Sequence, residues 1–353
     1  MIPSDPDPHA PSAGRQAAFY AVALVMMGLL AVVGLEIVAR IFDPIGISFY
    51  PETARYMDTL IEEEPIGYRN RPGLEGRFFG APVRINALGM RDREVSAEPQ
   101  PGEFRIAILG DSITFGIGVR YEDSLPAVAE RLLQEDARDG VRIRTLNFGV
   151  PSYNTEQELI QFEDVGLKLR PNAVVLLFVW NDIYPKKWIF DKRKNLISNL
   201  AQRSYAASLL FKTFALARTA VSGPKSAVFE EFTPSNPGWI AIDRSLTALN
   251  GRCRAAGIPF IVLIIDKPEL PDTAMVRAVG EREGFPCGVI DPWSDPRWQG
   301  RDPGPFVNSK TDSHPNREGC LIYGRVIAEA IQRLGGVSAA TRIQPPPITR
   351  SPS

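Results

Sequence analysis

The stretch FRIAILGDSITFG, residues 104–116, joins a short apolar run to a glycine-led turn. A run rich in Ile and Phe that stops at glycine reads as a strand buried on both faces. Gly110 permits a sharp turn. Ser112 is thereby expected just past a strand end, at the lip where open α/β sheets bind ligands. A helix starting there would direct backbone N–H groups at that lip, which suits an anion developing on a carbonyl. A Gly-Asp-Ser triplet alone is common, so the reading depends on its surroundings.

Outward from this stretch, VRIRTLNFG (141–149), AVVLLFVW (173–180) and IPFIVLIID (258–266) have the same texture, and CGVID (287–291) reads as a fifth, shorter strand. Helix-period segments fall at about 123–138, 154–168, 237–256, 272–284 and 318–334. Strands alternating with helices predict an α/β fold with a mostly parallel five-stranded sheet covered on both sides. Residues 43–103 are rich in Pro, Gly and charge, with one strand-and-turn signal in APVRINALGMRDRE (81–94). Residues 184–236 interrupt the alternation with KKWIFDKRKN and SYAASLLFKTFALARTAV. They read as an extra helical layer on the core, the alternative being a lid or a surface touching lipid headgroups.

Two more strand ends carry suitable chemistry. Gly149, in NFGVPSYNT, lets a backbone N–H approach a tetrahedral intermediate, and Asn181, in LLFVWND, offers a side-chain amide. Read singly, Gly149 is a turn glycine and Asn181 a helix cap. KTDSHPNREGC (310–320) sets Asp312 and His314 in a loop before the last helix, with Asn316 placed to cap it. A serine hydroxyl is a poor nucleophile until a base takes its proton, and His314 can do so if the loop folds over Ser112, with Asp312 holding the other ring nitrogen. Only His9 and His314 exist, so an imidazole base has one serious candidate.

The same scarcity leaves zinc poorly supplied, and Cys253, Cys287 and Cys320 have no metal-like spacing, although one disulfide is open to them. The 40 basic and 41 acidic residues nearly cancel, which argues against a nucleic-acid partner. Residues 17–35, AAFYAVALVMMGLLAVVGL, hold no charge, and apolar residues continue past Glu36 to Val38. That is close to the ~20 residues that cross ~30 Å of hydrocarbon, and longer than the apolar core of a secretory signal. An uncleaved transmembrane anchor over 17–38 is expected, with the tail inside and the domain outside. Arg15 and Arg40 on its two sides orient it only weakly.

The four blocks around Ser112, Gly149, Asn181 and His314 resemble the SGNH or GDSL hydrolase superfamily, over about residues 104–335. The resemblance implies a flavodoxin-like three-layer α/β/α sandwich without metal or organic cofactor. It implies Ser112 as nucleophile, His314 as base and Asp312 as its orienting acid, with an oxyanion hole from Ser112 N–H, Gly149 N–H and the Asn181 amide. Two positions depart: Thr311 stands three before the histidine, where the family often has aspartate, and Trp180 replaces a common glycine. The anchor and INALGMRD look like a membrane-tethered bacterial subgroup, some members of which accompany polysaccharide machinery.

The expected organisation is a disordered tail (1–16), anchor (17–38), linker or small appended region (39–103), catalytic domain (104–335, insertion about 184–236) and disordered tail (336–353). The expected activity is a serine esterase outside the cytoplasm, acting on an ester such as an O-acetyl group of an envelope or exported polysaccharide. An O-acyltransferase using the same serine, or a non-catalytic envelope scaffold, are the alternatives.

Overall fold

A computed structural model describes residues 13–43, 45–187, 202–222, 231–291, 296, 304–335 and 337. His9, nearly all of both expected tails and the 188–201 and 223–230 parts of the insertion lie outside these residues.

The chain opens with helix α1 (Ala13–Phe42), then α2 (Phe49–Met57) and two hairpins, β1 (Ile61–Glu63) with β2 (Gly67–Arg69) and β3 (Glu75–Phe78) with β4 (Ala81–Arg84). α1 overruns the uncharged run at both ends because neither Ala13–Gln16 nor Ala39–Phe42 contains a proline. From Gly14 to Phe42 it is long and apolar enough to cross a membrane, and none of its most apolar window is buried in the protein.

The main sheet comprises β5 (Glu103–Leu109), β6 (Arg142–Asn147), β7 (Ala173–Phe178), β8 (Phe260–Ile264) and β9 (Cys287–Val289). All neighbours are parallel, in the order β6-β5-β7-β8-β9, a flavodoxin-like order. β7 lies at the centre and every residue in it is buried, which is why its sequence is an unbroken apolar run. On one face, α4 (Leu125–Glu135) and α9 (Arg317–Arg333) bury Leu125, Leu133, Ile327 and Ile331 against Ile106, Val175 and Leu263. On the other, α5 (Thr155–Gln161), α7 (Pro237–Ala255) and α8 (Pro271–Glu283) pack Trp239, Leu246 and Val276 against Leu176, Phe178 and Val262. From β5 the chain winds one way to β6 and the other way to β7, so the end of β5 is the switch point where such sheets hold ligands.

The region between α1 and the sheet has its own core. Tyr56, Met57, Ile66, Tyr68, Phe78, Val83 and Ile85 bury themselves with Phe115, Ile117, Val150 and Tyr153 from the sheet's carboxyl lip. Tyr68 also donates to Pro151 O (2.9 Å) and Gln157 to Ile66 O (2.9 Å). These contacts fasten the region to the loops that follow β5 and β6.

One expectation is corrected by helix α6 (Tyr205–Ser222), read as a layer on the core: it packs on α1 and α2 instead. Its segment is apolar nearly all round, so periodicity could not tell which neighbour it covers. The three thiols are free, and Cys253 and Cys320 lie in opposite face cores, out of reach of one another. Burial pushes each thiol up to about 12.

Candidate active site

Ser112 is the first residue of a single helical turn, α3 (Ser112–Phe115), directly after β5. The turn ends because Gly116 takes a left-handed conformation (φ 86°) and donates to Ser112 O. The long helix expected near 123–138 starts only at Leu125, so one turn rather than a full helix dipole faces the lip. Amides at a helix start have no acceptor within the helix, which leaves the Ser112 N–H without a partner inside the turn. Asp111 caps the turn, accepting from Ile113 N at 2.9 Å.

The loop before α9 brings His314 over this turn. His314 Nε2 is 2.7 Å from Ser112 Oγ, and its Nδ1 is 2.5 Å from Asp312 Oδ1. An ionised carboxylate only accepts, so Nδ1 carries the proton and Nε2 is left to accept from the serine hydroxyl. Asp312 is buried and further held by Asn308 Nδ2 (3.0 Å), which also donates to Ile117 O. Asn316 caps α9 through Gly319 N and donates to Pro305 O and Val307 O, closing the loop's base. Phe49, from α2, lays its ring 5.5 Å from the imidazole. Thr311, the family departure, faces the other way and bonds Ile45 O and Gly46 O.

Because β6 and β7 flank β5, Gly149 and Asn181 arrive on either side of Ser112. Asn181 Nδ2 donates to Asp111 Oδ2 at 2.9 Å, and that oxygen is 3.2 Å from Ser112 Oγ. The amide's second N–H remains for another acceptor. Gly149 backs directly onto α3: a Cβ there would stand 2.1 Å from Phe115 N, so only glycine fits. Its N–H donates to Asn147 Oδ1 (2.9 Å) in this state, so service to an oxyanion requires that bond to be shared or exchanged. Trp180 is partly exposed, edge-on to Tyr184.

Sequence reading missed the supports. Arg91 is fully buried and donates to Phe115 O (2.9 Å), Gly116 O and Val119 O (2.6 Å), at and just after the end of the Ser112 turn, and to Pro82 O (3.3 Å) in β4. Burial pulls its guanidinium down to about 10. Asp92 accepts from Asn147 N (2.9 Å) and Arg144 (2.7 Å), so the two residues of one dipeptide reach both the Ser112 and Gly149 turns. Their place in INALGMRD was the only available signal. Behind Asn181, Asp182 and Glu158 are buried, with Thr155 Oγ1 donating to Asp182 (2.6 Å). Burial first, then neighbouring carboxylates including Asp111, holds both acids well above the usual carboxylate range.

The sequence profile of the GDSL-like Lipase/Acylhydrolase family matches residues 108–320. No curated protein matches. Solved structures with a similar chain path include the psychrotrophic esterase EstA from Pseudoalteromonas sp. (13% identity, 64% of this chain and 96% of that one, TM-score 0.40). A lipase/acylhydrolase from Enterococcus faecalis gives 16% identity, 68% and 99% coverage and TM-score 0.40. LAE5, an alpha/beta hydrolase from the Lake Arreo metagenome, gives 18%, 66%, 96% and 0.41.

Proposed function

The chain belongs to the GDSL-like lipase/acylhydrolase family of ester-hydrolysing serine hydrolases, and we propose that it works through an acyl-enzyme on Ser112. The observation that carries this is the unbroken path from Ser112 Oγ to His314 Nε2 and from Nδ1 to Asp312. In the first step Oγ bonds to the ester carbonyl carbon while its proton passes to Nε2. The oxyanion is received by Ser112 N–H, Gly149 N–H and the free N–H of Asn181. Collapse breaks the bond to the alcohol oxygen, which takes the proton from Nε2. Water then gives a proton to Nε2 and its oxygen to the acyl carbon, releasing the acid and restoring the serine.

The acyl unit proposed is an acetyl group on an envelope or exported polysaccharide, with α1 as the anchor and the domain outside the cytoplasm. The full chain in detergent should hydrolyse p-nitrophenyl acetate and be labelled by a fluorophosphonate at Ser112. Undiminished turnover by folded Ser112→Ala would overturn the nucleophile assignment. Acyl transfer to a sugar uses the same first half-reaction. Acylated saccharide forming faster than free acid from one donor would replace hydrolysis by transfer.

A further inference from the structure

α1 alone does not explain why the insertion carries an apolar helix. In α6, Leu210, Phe211 and Phe214 are 62, 67 and 70% exposed, as open as the outer residues of α1 (Leu30 67%, Phe42 72%). Residues at i, i+1 and i+4 share one side of a helix, so these three form a single patch. A contiguous patch of large apolar side chains is costly in water and marks a contact surface.

The level of that patch is set by α1. Glu36 immediately follows the uncharged run 17–35, and it is the residue that receives the start of α6. Its carboxylate accepts from Ser204 Oγ (2.9 Å), Tyr205 N (3.2 Å) and Ala206 N (2.8 Å). The Arg40 guanidinium stands 4.6 Å over the Tyr205 ring, a pairing suited to the headgroup layer. α6 therefore starts beside the residue that ends the uncharged run of α1, and its Leu210–Phe211–Phe214 patch stands open to solvent a little over one turn further on. Lys212 points away from the patch, its Nζ 4.1 Å from the Tyr50 ring.

Tyr50 belongs to the segment that holds the histidine loop. Its hydroxyl donates to Thr311 O (3.3 Å), Thr311 Oγ1 donates to Ile45 O (3.2 Å) and Gly46 O (2.7 Å), and Phe49 packs on His314. Six residues separate Phe42, the last of α1, from Phe49. The histidine loop is thus built onto the stem of the anchor, with α6 beside it.

We infer that α6 is a second lipid-contacting element, its Leu210–Phe211–Phe214 patch seated in the bilayer interface, and that it holds the Ser112–His314 pair at the membrane surface, where esters presented at the bilayer, envelope-borne acetyl esters included, are the substrate class. The contact stands on the α1–α6 geometry. The substrate class rests in addition on Ser112 being the nucleophile.

The test uses the full chain in phosphatidylcholine vesicles, in a Cys287→Ser background whose other two thiols are buried. A fluorophore is placed at Phe211→Cys, at Val33→Cys within α1 and at Ile240→Cys on α7. Acyl-chain spin-labelled lipid should quench the labels at 211 and 33 and leave that at 240 bright. A label at 211 as bright as at 240 overturns the contact, as does one shielded by a second copy, seen as crosslinked dimers. Next, Phe211→Ser/Phe214→Ser, with Leu210→Ser as a milder variant, is assayed on p-nitrophenyl palmitate in the vesicles and on dissolved p-nitrophenyl acetate. Expected is a loss in kcat/KM of at least about tenfold on the vesicle ester only, from two lost aromatic anchors. Equal loss on both esters, or none, overturns the substrate class. Inactivity of the unsubstituted chain on both esters would strike the catalytic reading and leave the quenching result standing.

Discussion

The Ser112 turn and the histidine loop meet at one hydrogen bond but are held in place by different means. Ser112 follows a buried strand, with Gly149 against its helical turn, Arg91 on its carbonyls and Phe115 in a core shared with the hairpins. His314 sits on a loop tied within itself by Asn308 and Asn316, and to the half-buried backbone just after α1 by Thr311. A packed interior moves little and tolerates little, whereas a loop held by side-chain hydrogen bonds can shift without unfolding the domain. Damage to the first region should therefore appear in stability and activity together, and damage to the second in activity alone.

The largest effect expected is in the loop. His314→Gln should lower kcat by roughly a thousandfold or more, since the proposed base is lost, with the urea midpoint barely moved. A stability loss equal to that of a core variant would erase the distinction between the regions. On the other side, Arg91→Met leaves several buried carbonyls without donors. It should cost roughly 2–4 kcal/mol in urea unfolding, at about 1–3 kcal/mol per stranded group, and reduce activity in the same preparation. Full stability with low activity would recast Arg91 as purely a positioning residue.

A smaller change should come from Thr311→Val, which cuts two bonds between the loop and the Ile45–Gly46 backbone after α1. kcat should fall by about three- to tenfold for a loss near 1 kcal/mol, and Thr311→Ser should restore it. The smallest concerns pH. Glu158 and Asp182 keep their protons in the fold, whereas in the unfolded chain they ionise near the usual carboxylate range. The native state then binds more protons, so stability falls as pH rises above about 4.5 until the folded pKa is passed. Glu158→Gln should flatten that fall between pH 5 and 8 in thermal melts. An unchanged slope would mean that Glu158 does not hold its proton there.

What could be read beforehand differs between these regions for the same physical reason. Strand β7 and the turn at Gly110 were legible because burial on both faces and a turn at a glycine leave local marks in residue type. The order Ser112, Gly149, Asn181, His314 was legible for a related reason: each lies at a strand end or in a loop, beside a glycine, proline or cap. Asp111 as a bridge to Asn181, Arg91 as a clamp and Phe49 on the imidazole left no such mark. A charged or aromatic residue in a loop-rich segment is ordinary until its distant partner is known.

The amino-acid sequence by itself determined the alternation of strands and helices, the apolar N-terminal helix and the candidate serine and histidine, because periodicity, turn chemistry and residue type are local properties. Tertiary structure alone decided that β6 and β7 flank β5, that Gly149 backs onto α3 with its N–H engaged by Asn147, and that α6 joins α1 rather than the sheet. Those outcomes depend on which surfaces meet after the chain has crossed from one face of the sheet to the other, and residues hundreds of positions apart enter the same contact only then.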